Sequence, residues 1–150
     1  MIRVLIVDDS LFIRTILRDM LKGSPDIEVI GTAVNGIDAL KKISELEPDA
    51  ITLDIEMPRM GGLEVLEALQ GMSPRPKVLV LSTLTSRQAE MTHRALRLGA
   101  DDFMLKPRDI QNVKGIEKEL IQKIRNLVVL PTAVKPIATR RNAADTVVLI

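Results

Sequence analysis

The sequence has no cysteine. Disulfides, thiol catalysis and cysteine-ligated zinc are excluded, and the composition suits a reducing cytosol. Tryptophan and tyrosine are also absent, and phenylalanine occurs only twice. Stacking on single-stranded nucleic acid bases therefore has no aromatic platform. Histidine occurs once, at His93. A Ser–His–Asp hydrolase would need that residue, which reads as a helix-surface position away from the other polar residues of interest. Twenty-one Lys and Arg face twenty Asp and Glu, leaving a formal net charge of +1. No overall field steers the molecule toward nucleic acid or acidic lipid. No apolar run approaches the roughly 18 residues of a membrane span. Asp8 and Asp9 interrupt the N-terminal run too early for a signal peptide. What is present is a 150-residue chain, 46% hydrophobic and 27% charged. That is an ordinary globular balance, sufficient for one domain with a core and a short appendage.

Short apolar runs alternate with helical periodicity. "VLIV" (4–7) reads as a buried strand, followed by Ile13, Ile16, Leu17, Met20 and Leu21 at helical spacing, with Ser10 as cap. "IEVIGTA" (27–33) is a second strand, and Ala39, Leu40, Ile43 and Leu46 form a helical face stopped by Pro48. "AITLD" (50–54) leads to Leu63, Val65, Leu66 and Leu69, and "KVLVLST" (77–83) to a helix through Met91, Ala95, Leu96 and Leu98 that stops at Gly99. "DFMLK" (102–106) is cut by Pro107, and a last helix runs through Val113, Ile116, Leu120, Ile121, Ile124 and Leu127. Strict alternation of strands and helices predicts an α/β fold, a parallel sheet covered on both faces. Residues 131–145 carry two prolines and no period, and read as a linker. "TVVLI" (146–150) reads as the start of a further strand.

Charged residues are seldom buried unless paired or bound to a metal, yet these strands end on them. Asp8 and Asp9 end the first strand, Asp54 the third, Ser82 and Thr83 the fourth, and Lys106 the fifth. In such sheets ligands sit at the carboxyl ends of the strands. Crowded carboxylates repel unless a cation intervenes, and oxygen-only ligands favour a hard cation such as Mg2+. A carboxylate beside a cation and a lysine can act as a nucleophile toward a phosphoryl group. Asp54 is then the candidate acceptor. Each residue taken singly has a plainer reading as helix cap, turn former or solvated loop lysine. Taken together, four strand ends carry the required chemistry.

The stretches "VLIVDDS", "LDIEMPRMGG", "LST" and "GADDFMLKP" resemble the response-regulator receiver domain of two-component signalling, over residues 1 to about 125. The resemblance implies a doubly wound, flavodoxin-like (βα)5 sheet of five parallel strands. It implies phosphorylation of Asp54 and Mg2+ ligation by Asp9, Asp54 and the backbone carbonyl of Glu56, with Asp8 acting through water. It makes Ser82 or Thr83 the switch hydroxyl and Lys106 the phosphate contact, puts Pro107 behind a cis bond, and makes Phe103 a rotating aromatic. "SPDIEVIGTAVNG", "LDIEMPRMGGLEVLEAL", "STLT" and "LGADDFMLKP" are further similar to the N-terminal half of the chemotaxis protein-glutamate methylesterase (CheB-like) family. That implies a receiver at 1–130, a linker at 131–145 and the start of a truncated esterase domain at 146–150, with any esterase triad beyond Ile150. It also implies a cytoplasmic protein that takes its phosphoryl group from a chemotaxis-type sensor histidine kinase. Its own C-terminal esterase domain and, through the full-length protein, methylated chemoreceptors would be partners, without nucleic acid binding or membrane insertion. The alternative is a free-standing receiver acting as a binding module or phosphate sink. An aspartyl phosphatase on a similar sheet fits poorly, because its nucleophile belongs on the first strand with a second Asp two residues on, and here that position is Glu56. Met57, Met60 and Met72 read as gap-filling residues, and Arg140–Arg141 as a solubilising or protease-sensitive linker pair.

Overall fold

A computed structural model describes residues 1–107 and 113–129. The expected linker and the 146–150 segment lie outside these residues. Five strands, β1 (Ile2–Val7), β2 (Ile27–Ala33), β3 (Ala50–Asp54), β4 (Lys77–Ser82) and β5 (Asp102–Leu105), alternate with five helices: α1 (Leu11–Lys22), α2 (Gly36–Leu46), α3 (Gly62–Leu69), α4 (Ser86–Arg97) and α5 (Val113–Val129). All neighbouring strands pair in parallel, in the order β2-β1-β3-β4-β5.

The strands read as unbroken apolar runs because both of their faces are covered. Val4 and Ile6 point into a cluster with Ile13, Leu17, Leu21, Leu120 and Ile124, from α1 and α5. Leu5 and Val7, one residue out of phase, point into a second cluster with Ile43, Val65, Leu66 and Ala95, from α2, α3 and α4. Side chains alternate across a strand, so one run of hydrophobics feeds two cores. Leu5, Ile6, Leu53 and Leu79 are fully buried. Each such side chain contributes roughly 1.5–3 kcal/mol of transfer free energy. The edge strands are the exceptions: β2 is largely half-buried, and in β5 Met104 points inward while Phe103 and Leu105 are exposed.

Helix starts follow local chemistry. Ser10 Oγ accepts from Ile13 N–H, Asn35 Oδ1 from Asp38 N–H and Thr85 Oγ1 from Gln88 N–H, the N-cap arrangement that satisfies orphan amides. Each capped helix opens within one or two residues of the carboxyl end of a strand or its loop, so the caps also shape the rim where the polar residues lie. Gly99, at φ 112°, takes the left-handed turn after α4 that a side chain would resist. Met57 and Met72 pack against the second cluster, as gap-filling residues.

Candidate functional site

The carboxyl edge of the sheet gathers the predicted residues. Asp8 and Asp9 follow β1, Asp54 is the last residue of β3, Ser82 the last of β4, and Lys106 follows β5. Lys106 N–H donates to the Ser82 carbonyl at 2.8 Å. That bond extends the β4–β5 ladder by one step and fixes the base of the lysine side chain. Its Nζ lies 2.9 Å from Asp54 Oδ1 and 3.1 Å from Asp8 Oδ2. One ammonium thus bridges two carboxylates.

Asp8 is held from several sides. Its N–H donates to the Ala33 carbonyl, its Oδ1 accepts from Ser10 N–H at 2.9 Å, and its carbonyl accepts from Arg14 at 2.8 Å. Capping and site chemistry therefore coexist at the Asp8–Asp9 pair. Asp54 is 1% exposed, and neither of its oxygens has an aligned hydrogen-bond donor. Lys106 supplies an ion pair to Asp54 Oδ1 at 2.9 Å. Such an arrangement is costly for an ionised carboxylate. Burial pushes the Asp54 carboxyl up to about 7, the charge of Asp8 adds to the rise, and Lys106 opposes it. Burial lowers the pKa of Lys106, but Asp54 and Asp8 outweigh it, and the net shift is upward.

Oxygens of Asp8, Asp9 and Asp54 all lie within 4.8 Å of one another, with Asp9 exposed at the rim. Hard oxygen donors, excess negative charge and a buried Asp54 Oδ2 with neither hydrogen bond nor ion pair suit a small divalent cation that retains waters. The Glu56 carboxylate turns elsewhere, toward Gln88 Nε2 at 2.6 Å and Arg87 at 2.9 Å. Only its backbone remains to face the acidic cluster. The loop around it is tight. A Cβ at Gly62 would stand 2.5 Å from the Asp54 carbonyl, and Gly62 N–H donates to the Ile55 carbonyl at 2.8 Å. Glycine is required there by close approach.

Three expectations need adjustment. Strand β4 ends at Ser82, so Thr83 belongs to the loop, where its hydroxyl lies 3.3 Å from Thr85 Oγ1 and its N–H donates to Gln88 Oε1. That amide bonds to a side chain and not to a neighbouring strand, and the strand ends there. Strand β5 ends at Leu105, with Lys106 one residue beyond. The cis bond expected before Pro107 is not found; among the described residues the cis peptide is Ser73–Pro74. Phe103 is 44% exposed on β5, and His93 is exposed on α4. Sequence reasoning missed Gln88, a buried residue whose side chain reaches two site loops. No local pattern marks it.

Residues 4–117 match the response regulator receiver domain. The chain is 55% identical over 150 residues to the protein-glutamate methylesterase/protein-glutamine glutaminase 1 of Methanospirillum hungatei, an alignment covering 99% of this chain and 44% of that protein. The chain thus spans less than half of that curated relative. Among solved structures, the response regulator domain of Thermotoga maritima CheB aligns with TM-score 0.76 and 42% identity, over 87% of this chain and 98% of that one. A chain of the CheX–CheY–BeF3–Mg2+ complex from Borrelia burgdorferi aligns with TM-score 0.72 and 28% identity, over 87% and 90%.

Proposed function

The chain belongs to the response-regulator receiver domain family, of the CheB type, and from that premise we propose that it accepts a phosphoryl group on Asp54 and thereby controls a protein-glutamate methylesterase. The observation that carries this reading is the state of Asp54: a buried carboxylate at the end of a core strand, with no aligned donor and one ammonium 2.9 Å away. Such a group is held ready for something that is absent from the fold's own packing.

Asp54 Oδ would attack the phosphorus of a phosphohistidine or a small acyl phosphate in line, and the donor's oxygen or nitrogen would leave. Lys106, already between Asp54 and Asp8, would stay within reach of a transferred phosphoryl oxygen and offset its charge. Ser82, at the end of β4, or Thr83 beside it would supply a hydroxyl to a second oxygen. Asp9, Asp54 and the Glu56 carbonyl, with Asp8 through water, would hold Mg2+. When bound, that cation neutralises the carboxylate cluster and the phosphoryl oxygens. The Borrelia burgdorferi relative, solved with BeF3 and Mg2+, supports the same pairing of ligands here.

The phosphoryl donor in this reading is a chemotaxis-type sensor histidine kinase. Residues 1–130 form the receiver, 131–145 the linker, and 146–150 begin the esterase domain that the receiver regulates. Methylated chemoreceptors are then substrates of the full-length protein. Incubation with acetyl phosphate and Mg2+ should add one labile phosphate, at Asp54. Asp54→Asn should abolish it, and Asp9→Asn should weaken Mg2+ binding by about tenfold or more. Labelling of Asp54→Asn at the wild-type level would reject the assignment.

A further inference from the structure

Gln88 is 7% exposed near the start of α4, yet it stands outside the carboxylate–lysine cluster. Both ends of its side chain are engaged. Oε1 accepts from Thr83 N–H at 3.0 Å, and Nε2 donates to Glu56 Oε1 at 2.6 Å. The orientation of the amide is forced, because a backbone N–H can only donate and a carboxylate can only accept. Its main chain is equally fixed: the N–H donates to Thr85 Oγ1 and the carbonyl accepts from Thr92 Oγ1. Arg87 pairs with the other Glu56 oxygen, but from an exposed position where such pairs contribute little. One buried amide therefore joins α4, the loop that begins at Asp54 and the loop that begins at Ser82.

We infer that Gln88 is a positioning residue, a latch that couples the β3–α3 loop to the β4–α4 loop and holds the latter in its resting arrangement. The inference rests on the phosphoacceptor reading of Asp54. Thr83 directly follows Ser82, so movement of either hydroxyl toward a phosphoryl group carries the Thr83 amide with it. That movement must either strip the amide from Gln88 or drag Gln88, and with it Glu56, along. Glu56 lies two residues past Asp54 and its backbone belongs to the proposed metal loop. Here the Thr83 hydroxyl faces Thr85 and Phe103 is exposed, the arrangement the latch preserves. A net hydrogen bond to a charged group corresponds to about tenfold in an equilibrium constant. Losing the latch should favour the activated arrangement by about that factor.

The test uses the full chain, with beryllofluoride and Mg2+ as phosphoryl mimic. Gln88→Leu keeps most of the volume and removes both side-chain bonds. It should bind beryllofluoride about tenfold more tightly. In the metal-free protein, the Thr83 amide and Phe103 ring signals should already be displaced toward their positions in beryllofluoride-bound wild type. Gln88→Glu still accepts from the Thr83 amide but sets carboxylate against carboxylate at Glu56, and should shift affinity and signals in the same direction by uncoupling the two loops. Adding Glu56→Gln restores an amide–carboxylate pair across the same gap, and should return affinity and signals toward wild type. If Gln88→Leu does not fold, the Gln88→Glu and swap pair decides alone. A lower Tm with unchanged affinity and signals makes Gln88 merely structural and overturns the latch. Weaker beryllofluoride binding overturns it too, as does a swap that restores nothing. Wild type that binds no beryllofluoride overturns the phosphoacceptor reading itself, whereas binding wild type with indistinguishable Gln88 variants overturns the latch alone.

Discussion

Asp54 sits where the chemistry of the site and the stability of the fold oppose each other. Its carboxyl is raised from 3.8 to about 7, by burial first and by the charge of Asp8 second. A raised acid binds more protons in the native state than in the unfolded chain between those two values. Stability from this group is therefore greatest below about pH 4 and declines as pH rises to about 7. Above pH 7 the metal-free protein carries the full penalty. Asp54→Asn removes the ionisation and should stabilise the metal-free protein by roughly 1–3 kcal/mol at pH 8, and by less at pH 5. Denaturant unfolding in chelator at the two pH values measures this, and an equal gain at both would refute the raised carboxyl. Mg2+ should reverse the order, since it binds the wild-type cluster better than the variant. Asp54, Asp9 and Lys106 were legible in the sequence because a charge closing an apolar run is an anomaly that demands a partner. Gln88 was not. It lies three residues from Thr85 in a polar helix start, the pattern of a solvated turn, and only packing against Glu56, 32 residues earlier, buries it.

Elements were legible where packing is symmetrical and blurred where it is not. Strands β1, β3 and β4 are covered on both faces, so their unbroken hydrophobicity named them. Their ends were harder to place, because the final residue depends on whether its amide finds the neighbouring strand or a side chain. Ser82 and Thr83 divide on that ground. Strict alternation implied parallel pairing but not the order β2-β1-β3-β4-β5, since alternation alone permits several orders. One tertiary tie left no sequence trace. Arg125 on α5 makes a bidentate pair with Asp26 in the α1–β2 turn, with both contacts at 2.9 Å, and also donates to Ser24 at 2.7 Å. The Arg125 hydrogen bond, with a smaller contribution from Ser24, holds the Asp26 carboxyl well below its usual range. A depressed acid contributes stability above its unfolded value near pH 4, and that contribution fades as pH falls further. Both side chains are partly exposed, so salt screens the pair. Arg125→Ala should speed amide hydrogen exchange in the last two turns of α5 while leaving the sheet protected. It should also flatten the acid side of the stability profile. Exchange that rises throughout the sheet would show that the pair supports the whole core rather than one helix end.

At the scale of the molecule, the described residues form two cores separated by one sheet. Helices α1 and α5 close one face, while α2, α3 and α4 close the other. The site lies along the edge where strands from the middle of the sheet end, so its carboxylates are set by the most rigid part of the fold. The overall charge of +1 adds no field of its own, and the electrostatics of the site are local. Fold class and site were readable because both are written in short-range pattern. The proposed regulated activity rests on resemblance alone, since this chain spans 44% of the methylesterase relative that it matches. The C-terminal half of α5 belongs to one of these cores. Leu120 and Ile124 are buried, and Leu127 and Val128 pack against the same cluster. With the receiver ending at residue 130, as proposed, a chain ended at Val129 should keep its unfolding free energy to within about 1 kcal/mol, as changes outside a core do. It should also bind beryllofluoride and Mg2+ with wild-type affinity, because every proposed ligand lies at or before Lys106. Chemical denaturation and a beryllofluoride titration of the shortened and complete chains make the comparison. A shortened chain that unfolds would place residues 130–150 inside the first domain, and the proposed boundary between receiver and linker would fail with it.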